Sequence, residues 1–278
     1  MKARFGSVVP LCLLFTACSF TPISTAAAQD QPAQTQGPSN YLFLSDVVLK
    51  PEQNTAYEKL ESDEAQALRA ANAPSHHIAM WAITGGSHVV YMSSFDSFAD
   101  LQKNHDATMA MSKLMDTQRT DNAAEAALVA DRHTSVYSYE PDLSFNAHAD
   151  LSKMHFMRII IFHVRNGHDQ DFKDVVKQYV KAYQTALPEA HWAMFEKRYG
   201  IGSGNTYILC TALDSLSDVD IMRNHGKKFD DAVGADQLKT LRSGMDAALE
   251  SSESDLFAFS PQMSYVPDNW DQTFWGKK

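Results

Sequence analysis

Five residues stand where chemistry could be done. His77 and His191 occupy matched places in two similar stretches, residues 74–81 and 188–195, which align without gaps. Each stretch reads as the start of a strand. Side chains two apart share a strand face, so His77, Ala79 and Trp81 form one set and His191, Ala193 and Phe195 another. An imidazole beside an aromatic ring, supplied once by each stretch, could hold a small flat apolar ligand, and histidine can donate, accept or move a proton near neutrality. The commoner role of a polar side chain at a strand end is a local hydrogen bond to a loop carbonyl. Arg158 is the fifth. It interrupts the apolar run from Phe156 to Phe162, and a charge there needs a counter-charge, a route to water or a ligand's anionic group. A ligand carboxylate could pair with it; so could an Asp or Glu of the chain, or the side chain could reach a rim.

Other chemistries find less support. Ser97 to Asp100 and Ser215 to Asp218 read as capping boxes, so their aspartates are helix caps before they are acids, bases or metal ligands. His76 and His77 are adjacent and point to opposite faces of a strand, and neither a zinc-protease helix motif nor a nucleophile elbow occurs; no metal site is expected. No Cys-x-x-Cys-His is present for covalent haem, although several of the 11 histidines could serve as an axial ligand; haem is kept as an alternative and no other cofactor is expected. The Gly-rich run at residues 200–205 joins two strands and therefore reads as a hairpin turn, since a phosphate loop leads from strand into helix.

The elements that must position these residues come in two sets. Tyr91 to Asp100 recurs as Leu209 to Asp218, in both cases an apolar strand, Asp-Ser, an apolar residue and a second Asp. Residues 50–60 match 165–175, and 137–145 match 257–265. Four blocks in one order indicate an internal duplication. Each copy reads β-α-β-β-α-β, the ferredoxin-like arrangement, with Phe172, Val175, Val176, Tyr179, Val180, Tyr183 and Leu187 marking the clearest amphipathic helix. A four-stranded sheet covered on one side leaves its other face bare. The expected architecture is α+β: two tandem repeats, 40–147 and 154–266, packed sheet to sheet as a pseudo-two-fold α/β barrel, a pseudo-dimer within one chain. The ligand cavity is expected between the sheets.

The ends read differently. Lys2 and Arg4, the apolar run 8–20 and Ala26-Ala27-Ala28 make residues 1–28 an export signal, cleaved after Ala28, with lipidation at Cys18 as a rival reading. The apolar run is too short to remain as a membrane anchor. Residues 29–39 are a polar, Pro/Gly-containing leader and 267–278 a C-terminal tail. The protein is thus expected to be periplasmic or secreted, without a transmembrane helix in its mature form. Removing two basic residues takes the net charge from −10 to −12, which disfavours nucleic acid and anionic lipid as partners. Cleavage leaves Cys210 as the last cysteine, so no internal disulfide can form.

Leu49-Lys50-Pro51 entering the first helix, the hairpin from Trp81 to Tyr91, and Phe95-Asp-Ser-Phe-Ala-Asp100 with its repeat resemble the dimeric α/β-barrel superfamily, which includes antibiotic-biosynthesis-type monooxygenases and NIPSNAP-like proteins. The resemblance covers both repeats and implies topology more than activity, because members include cofactor-free oxygenases, isomerases and haem enzymes. The expected function is binding of a small apolar or aromatic molecule, with His77, Trp81, Arg158, His191 and Phe195 as candidate contacts. The alternatives are a cofactor-independent monooxygenase or isomerase acting on a small aromatic compound, and a haem-binding protein.

Overall fold

Period-two patterning builds the barrel. In β1 (Tyr41–Leu49) Leu42 points to the interior cluster, whereas Val47 and Leu49 point to a cluster beneath the first helix. The computed structural model describes residues 38–148, 151–202 and 204–266. The export signal, most of the leader and the C-terminal tail lie outside the described residues. From β1 the chain runs through α1 (Asn54–Ala71), β2 (Ile78–Ala82), β3 (His88–Phe95), α2 (Phe98–Met109), α3 (Ser112–Leu128) and β4 (Val129–Tyr139). It then repeats that order as β5 (Phe156–Val164), α4 (Asp169–Ala186), β6 (Ala193–Gly200), β7 (Thr206–Leu213), α5 (Ser217–Val233), α6 (Ala235–Ala248) and β8 (Leu249–Phe259). The second helical stretch of each half is broken in two. In the second half the break falls at Gly234, whose φ of +82° departs from the helical range.

All neighbouring strands are antiparallel, and the eight close in the order β1-β3-β2-β8-β5-β7-β6-β4. Read by halves, this is β4-β1-β3-β2 followed by β8-β5-β7-β6. The halves meet along their edges, β2 on β8 and β4 on β6, so no open sheet edge is left. Met80 pairs with Phe259 at one seam and Tyr139 with Phe195 at the other.

Edge-to-edge closure corrects the expected cavity between the sheets. The inward residues, among them Leu42, Met80, Met92, Met157, Phe195 and Phe257, form one continuous buried cluster. An eight-stranded barrel is about wide enough for side chains to fill, and the flexible thioethers of three methionines suit that irregular volume. The interior opening beside Met157, Ala193 and Cys210 measures about 30 Å³. The helices pack outside. Tyr57 of α1 is fully buried against Val47, Ala79 and Val89, and Phe172 of α4 against Phe162, Met194 and Tyr207. Among the described residues no helix is long and apolar enough to cross a membrane.

Candidate functional site

The space for a ligand lies on the outer side of the second half's sheet, under α4, α5 and α6. Alternation along β5 turns Arg158, Ile160 and Phe162 outward while Met157 and Ile159 turn in. Leu209 and Thr211 of β7 extend the same floor. The walls are Val176, Tyr179 and Tyr183 of α4, Met222 and His225 of α5, and Met245 of α6. Together they enclose about 580 Å³, within the usual range for small-molecule pockets.

Aromatic packing props the cavity open. Tyr183 meets Trp192 edge-on at 4.9 Å and stacks on Phe229 of α5 at 4.4 Å, while Tyr179 stacks on Phe229 at 6.0 Å. These rings span from the sheet to α5 and hold that helix off the floor. In the first half, polar groups occupy the matching space. Counting from the starts of the two 18-residue helices, Glu61 and Glu64 of α1 stand where α4 has Val176 and Tyr179. Tyr91 donates to Glu61 at 2.8 Å, Tyr57 to Glu125 at 3.4 Å and Gln118 to Glu64 at 3.0 Å, and Arg132 pairs with Glu125.

Electrostatics single out Arg158. It is half-buried, and its Nε donates to Ser254 Oγ at 3.1 Å; no carboxylate among the described residues pairs with it. Burial lowers its pKa from the ordinary value, with the Tyr183 ring the charge partner that acts against the shift. Burial also raises the phenol of Tyr183, and Arg158 moderates that rise. Of the three carboxylates at the mouth, Asp214 is exposed to solvent and the other two are engaged. Asp218 accepts from the backbone N–H of Asp214 and Ser215 at 2.9 and 3.0 Å, and Glu189 takes Lys228 at 3.2 Å with His225 at 3.5 Å.

The five residues singled out by sequence separate. Arg158 and His191 line the cavity. Phe195 is buried inside the barrel, against Tyr139 at 5.6 Å. Trp81 lies on the helix side, edge-on to Tyr57 at 6.3 Å, and His77 directs Nε2 at the Met263 carbonyl, 3.0 Å away. Burial holds His77 down at about 4, a neutral structural imidazole. The gap-free alignment is one residue out here. His77 exchanges both backbone hydrogen bonds with Tyr265, and Trp192 does the same with Phe145. Trp192 Nε1 donates to the Leu143 carbonyl at 2.9 Å, the counterpart of the His77 contact. The structural partner of His77 is therefore Trp192. A slip of one residue reverses strand faces, so no His-plus-aromatic pair meets near the pseudo-axis.

Four cavity residues escaped the sequence reading: Tyr179, Tyr183, Thr211 and His225. The tyrosines were visible only as members of the apolar stripe of α4. Their hydroxyls on an otherwise hydrocarbon stripe were the available signal.

The sequence matches no family model and no curated protein. Solved structures do match. An anthrone oxidase-like protein aligns with TM-score 0.55 and 11% identity, covering 82% of this chain and 94% of that one. A candidate monooxygenase from Fusobacterium nucleatum subsp. nucleatum aligns with TM-score 0.50 and 10% identity, covering 80% and 93%. A mutant chlorite dismutase from Candidatus Nitrospira defluvii aligns at 0.45 and 10% identity, covering 81% and 92%. At such identities the likeness is one of fold alone, an α+β barrel with its helices outside.

Haem, the cofactor kept as an alternative, needs an axial ligand with a ring nitrogen turned to the cavity. His191 directs Nε2 at the Ala212 carbonyl, 3.0 Å away, and His225 directs Nε2 at Glu189. With Nε2 engaged, Nδ1 of either ring is the nitrogen that would serve as an axial ligand, the outer contact orienting the imidazole.

Proposed function

We propose that this chain is an exported small-molecule-binding protein whose ligand sits between the outer face of β5 and β7 and the helices α4 to α6. The observation that carries the reading is an apolar space of about 580 Å³ floored by a half-buried arginine that lacks a carboxylate partner among the described residues. A charge left unpaired in apolar surroundings costs folding free energy, and a bound ligand is the usual compensation. Arg158 and His191 are the polar contacts; His77, Trp81 and Phe195 are structural. The charged first residues, the apolar run behind them and Ala26 to Ala28 support export. Matching strand orders in the two halves support an internal duplication that made repeats 40–147 and 154–266. After it, one copy kept an open space under its helices and the other closed it with Glu61, Glu64 and Tyr91.

The test is isothermal titration of the mature protein with 2-naphthoate and 2-naphthamide, beside Leu209→Trp, which fills the floor. Binding that disappears in Leu209→Trp supports the cavity. Val176→Phe serves where the first variant does not fold. Binding unaffected by a folded cavity-filling variant overturns the reading.

The enzymatic reading, a cofactor-independent monooxygenase or isomerase for a small aromatic compound, uses the same cavity. His191, with Nε2 held by a carbonyl, favours it as the available base. Oxygen consumption or double-bond migration with polyphenolic substrates, abolished in His191→Phe, is its test.

A further inference from the structure

We infer that the ligand is an organic monoanion: a flat apolar body with one carboxylate or sulfonate for Arg158 and, at its other end, a hydroxyl or N–H donor for His191. The inference rests on the cavity reading and adds the polarity of what fills it.

The anionic end follows from hydrogen-bond accounting at Arg158. A guanidinium has five N–H donors and cannot accept. Nε is engaged by Ser254, and no other bond to the side chain exists among the described residues. The terminal N–H groups are therefore available for a bidentate contact with a planar anion, the geometry that guanidinium matches best. The cavity's three acids do not pair with the arginine: Asp218 accepts from the Asp214 and Ser215 N–H groups, Glu189 holds Lys228 and His225, and Asp214 is exposed at the rim with no ion pair to Arg158 among the described residues. A neutral ligand would leave the arginine desolvated and uncompensated.

The donor end follows from His191. A carbonyl can only accept, so the bond from Nε2 to Ala212 O fixes the hydrogen on Nε2. In the neutral ring Nδ1 is left as an acceptor, and no described group bonds to it. Its place relative to Arg158 is set by the sheet. Arg158 on β5 pairs with Thr211 on β7, and β7 pairs in turn with β6, the strand that His191 leads into. Ile160, Leu209 and Met245 surround the space with apolar atoms, which suits an aromatic or alicyclic body.

Three probes test this by titration calorimetry: 2-naphthoate, its isosteric neutral amide 2-naphthamide, and 6-hydroxy-2-naphthoate. The acid should bind about tenfold or more tightly than the amide, as a charge-assisted contact requires. Arg158→Met should weaken the acid far more than the amide and bring the two affinities level. The 6-hydroxyl should tighten binding several-fold, and His191→Phe should erase the gain. Equal affinity for acid and amide, both lost in Leu209→Trp, overturns the anion assignment and leaves the cavity reading intact. Binding that survives Leu209→Trp overturns the cavity reading itself. No heat from any of the three with folded protein overturns the inference.

Discussion

Ser144 and Ser264, 120 positions apart, make the same clasp on opposite sides of the barrel, both at the end where β4 and β8 finish. Ser144 Oγ accepts the Met194 N–H at 2.9 Å and donates to the Glu140 carbonyl at 2.8 Å. Ser264 Oγ accepts the Ala79 N–H at 2.9 Å and donates to the Ser260 carbonyl at 2.6 Å. In each case the chain leaving the last strand of one half is tied to the second strand of the other. Both serines are buried, so neither bond is replaced by bulk water when the partner goes. Either Ser→Ala change strands a buried backbone N–H and should cost about 1–3 kcal/mol, read from chemical denaturation midpoints. Because the two clasps are far apart, the double variant should lose the sum of the single losses. Wild-type stability in Ser264→Ala would show that the clasp contributes nothing to closure.

Glu61 makes the protein's stability depend on pH in the direction opposite to most carboxylates. Burial, then the neighbouring charge of Glu64, pushes its pKa up to about 7, while the Tyr91 hydrogen bond opposes the shift. The folded state thus binds a proton that the unfolded chain releases near pH 4.5. Stability from this group is complete below pH 4.5 and fades as pH rises through 7. The full span is on the order of 2 to 3 kcal/mol. Glu61→Gln, which stays neutral and can still accept from Tyr91, should flatten the melting temperature between pH 5 and 8. An unchanged profile in that variant would assign the pH dependence elsewhere.

Topology was legible where one periodicity dominated. α4 keeps its stripe of Phe172, Val175 and Val176 buried against the sheet and the neighbouring helices. The missing part came from which face is which. Both faces of β5 are apolar because one meets the barrel interior and the other meets helices, so pattern alone could not turn Arg158 outward. β4 starts as early as Val129 although its segment from Ala130 to Thr134 is exposed and polar, because the backbone ladder to β1 holds it. The cavity was hard to read because most of its walls are residues that a packed core would also use, with the stacked rings between α4 and α5 among them.

Gly200 is required at the β4–β6 seam. Its φ is +132°, and a Cβ there would lie 2.8 Å from the Thr134 carbonyl oxygen and clash with Ser135. Backbone cannot yield as a flexible side chain would. Gly200→Ala should therefore destabilise by about 2 kcal/mol or more, combining steric overlap with an unfavourable φ. Gly86, with φ +115° and open space around it, is the control. Its alanine variant meets no neighbour and should cost less, so equal losses at the two sites would show that close approach across the seam is not the cause.

Cys210 reports on whether the barrel opens. Its thiol is buried on the inner face beside Met157 and Ala193, and burial pushes its pKa up to about 12. A thiol reagent attacks the thiolate, so both access and ionisation oppose reaction in the folded state. Labelling with iodoacetamide at pH 8 should be slower than for the unfolded chain by at least about a thousandfold, and should accelerate in step with denaturant-induced unfolding. The Ser144→Ala and Ser264→Ala variants should label faster in proportion to their lost stability if labelling requires global opening. Fast labelling of the wild-type protein with no loss of structure would mean that the seams part locally, and that the interior communicates with solvent through the small opening between His191 and Ala212.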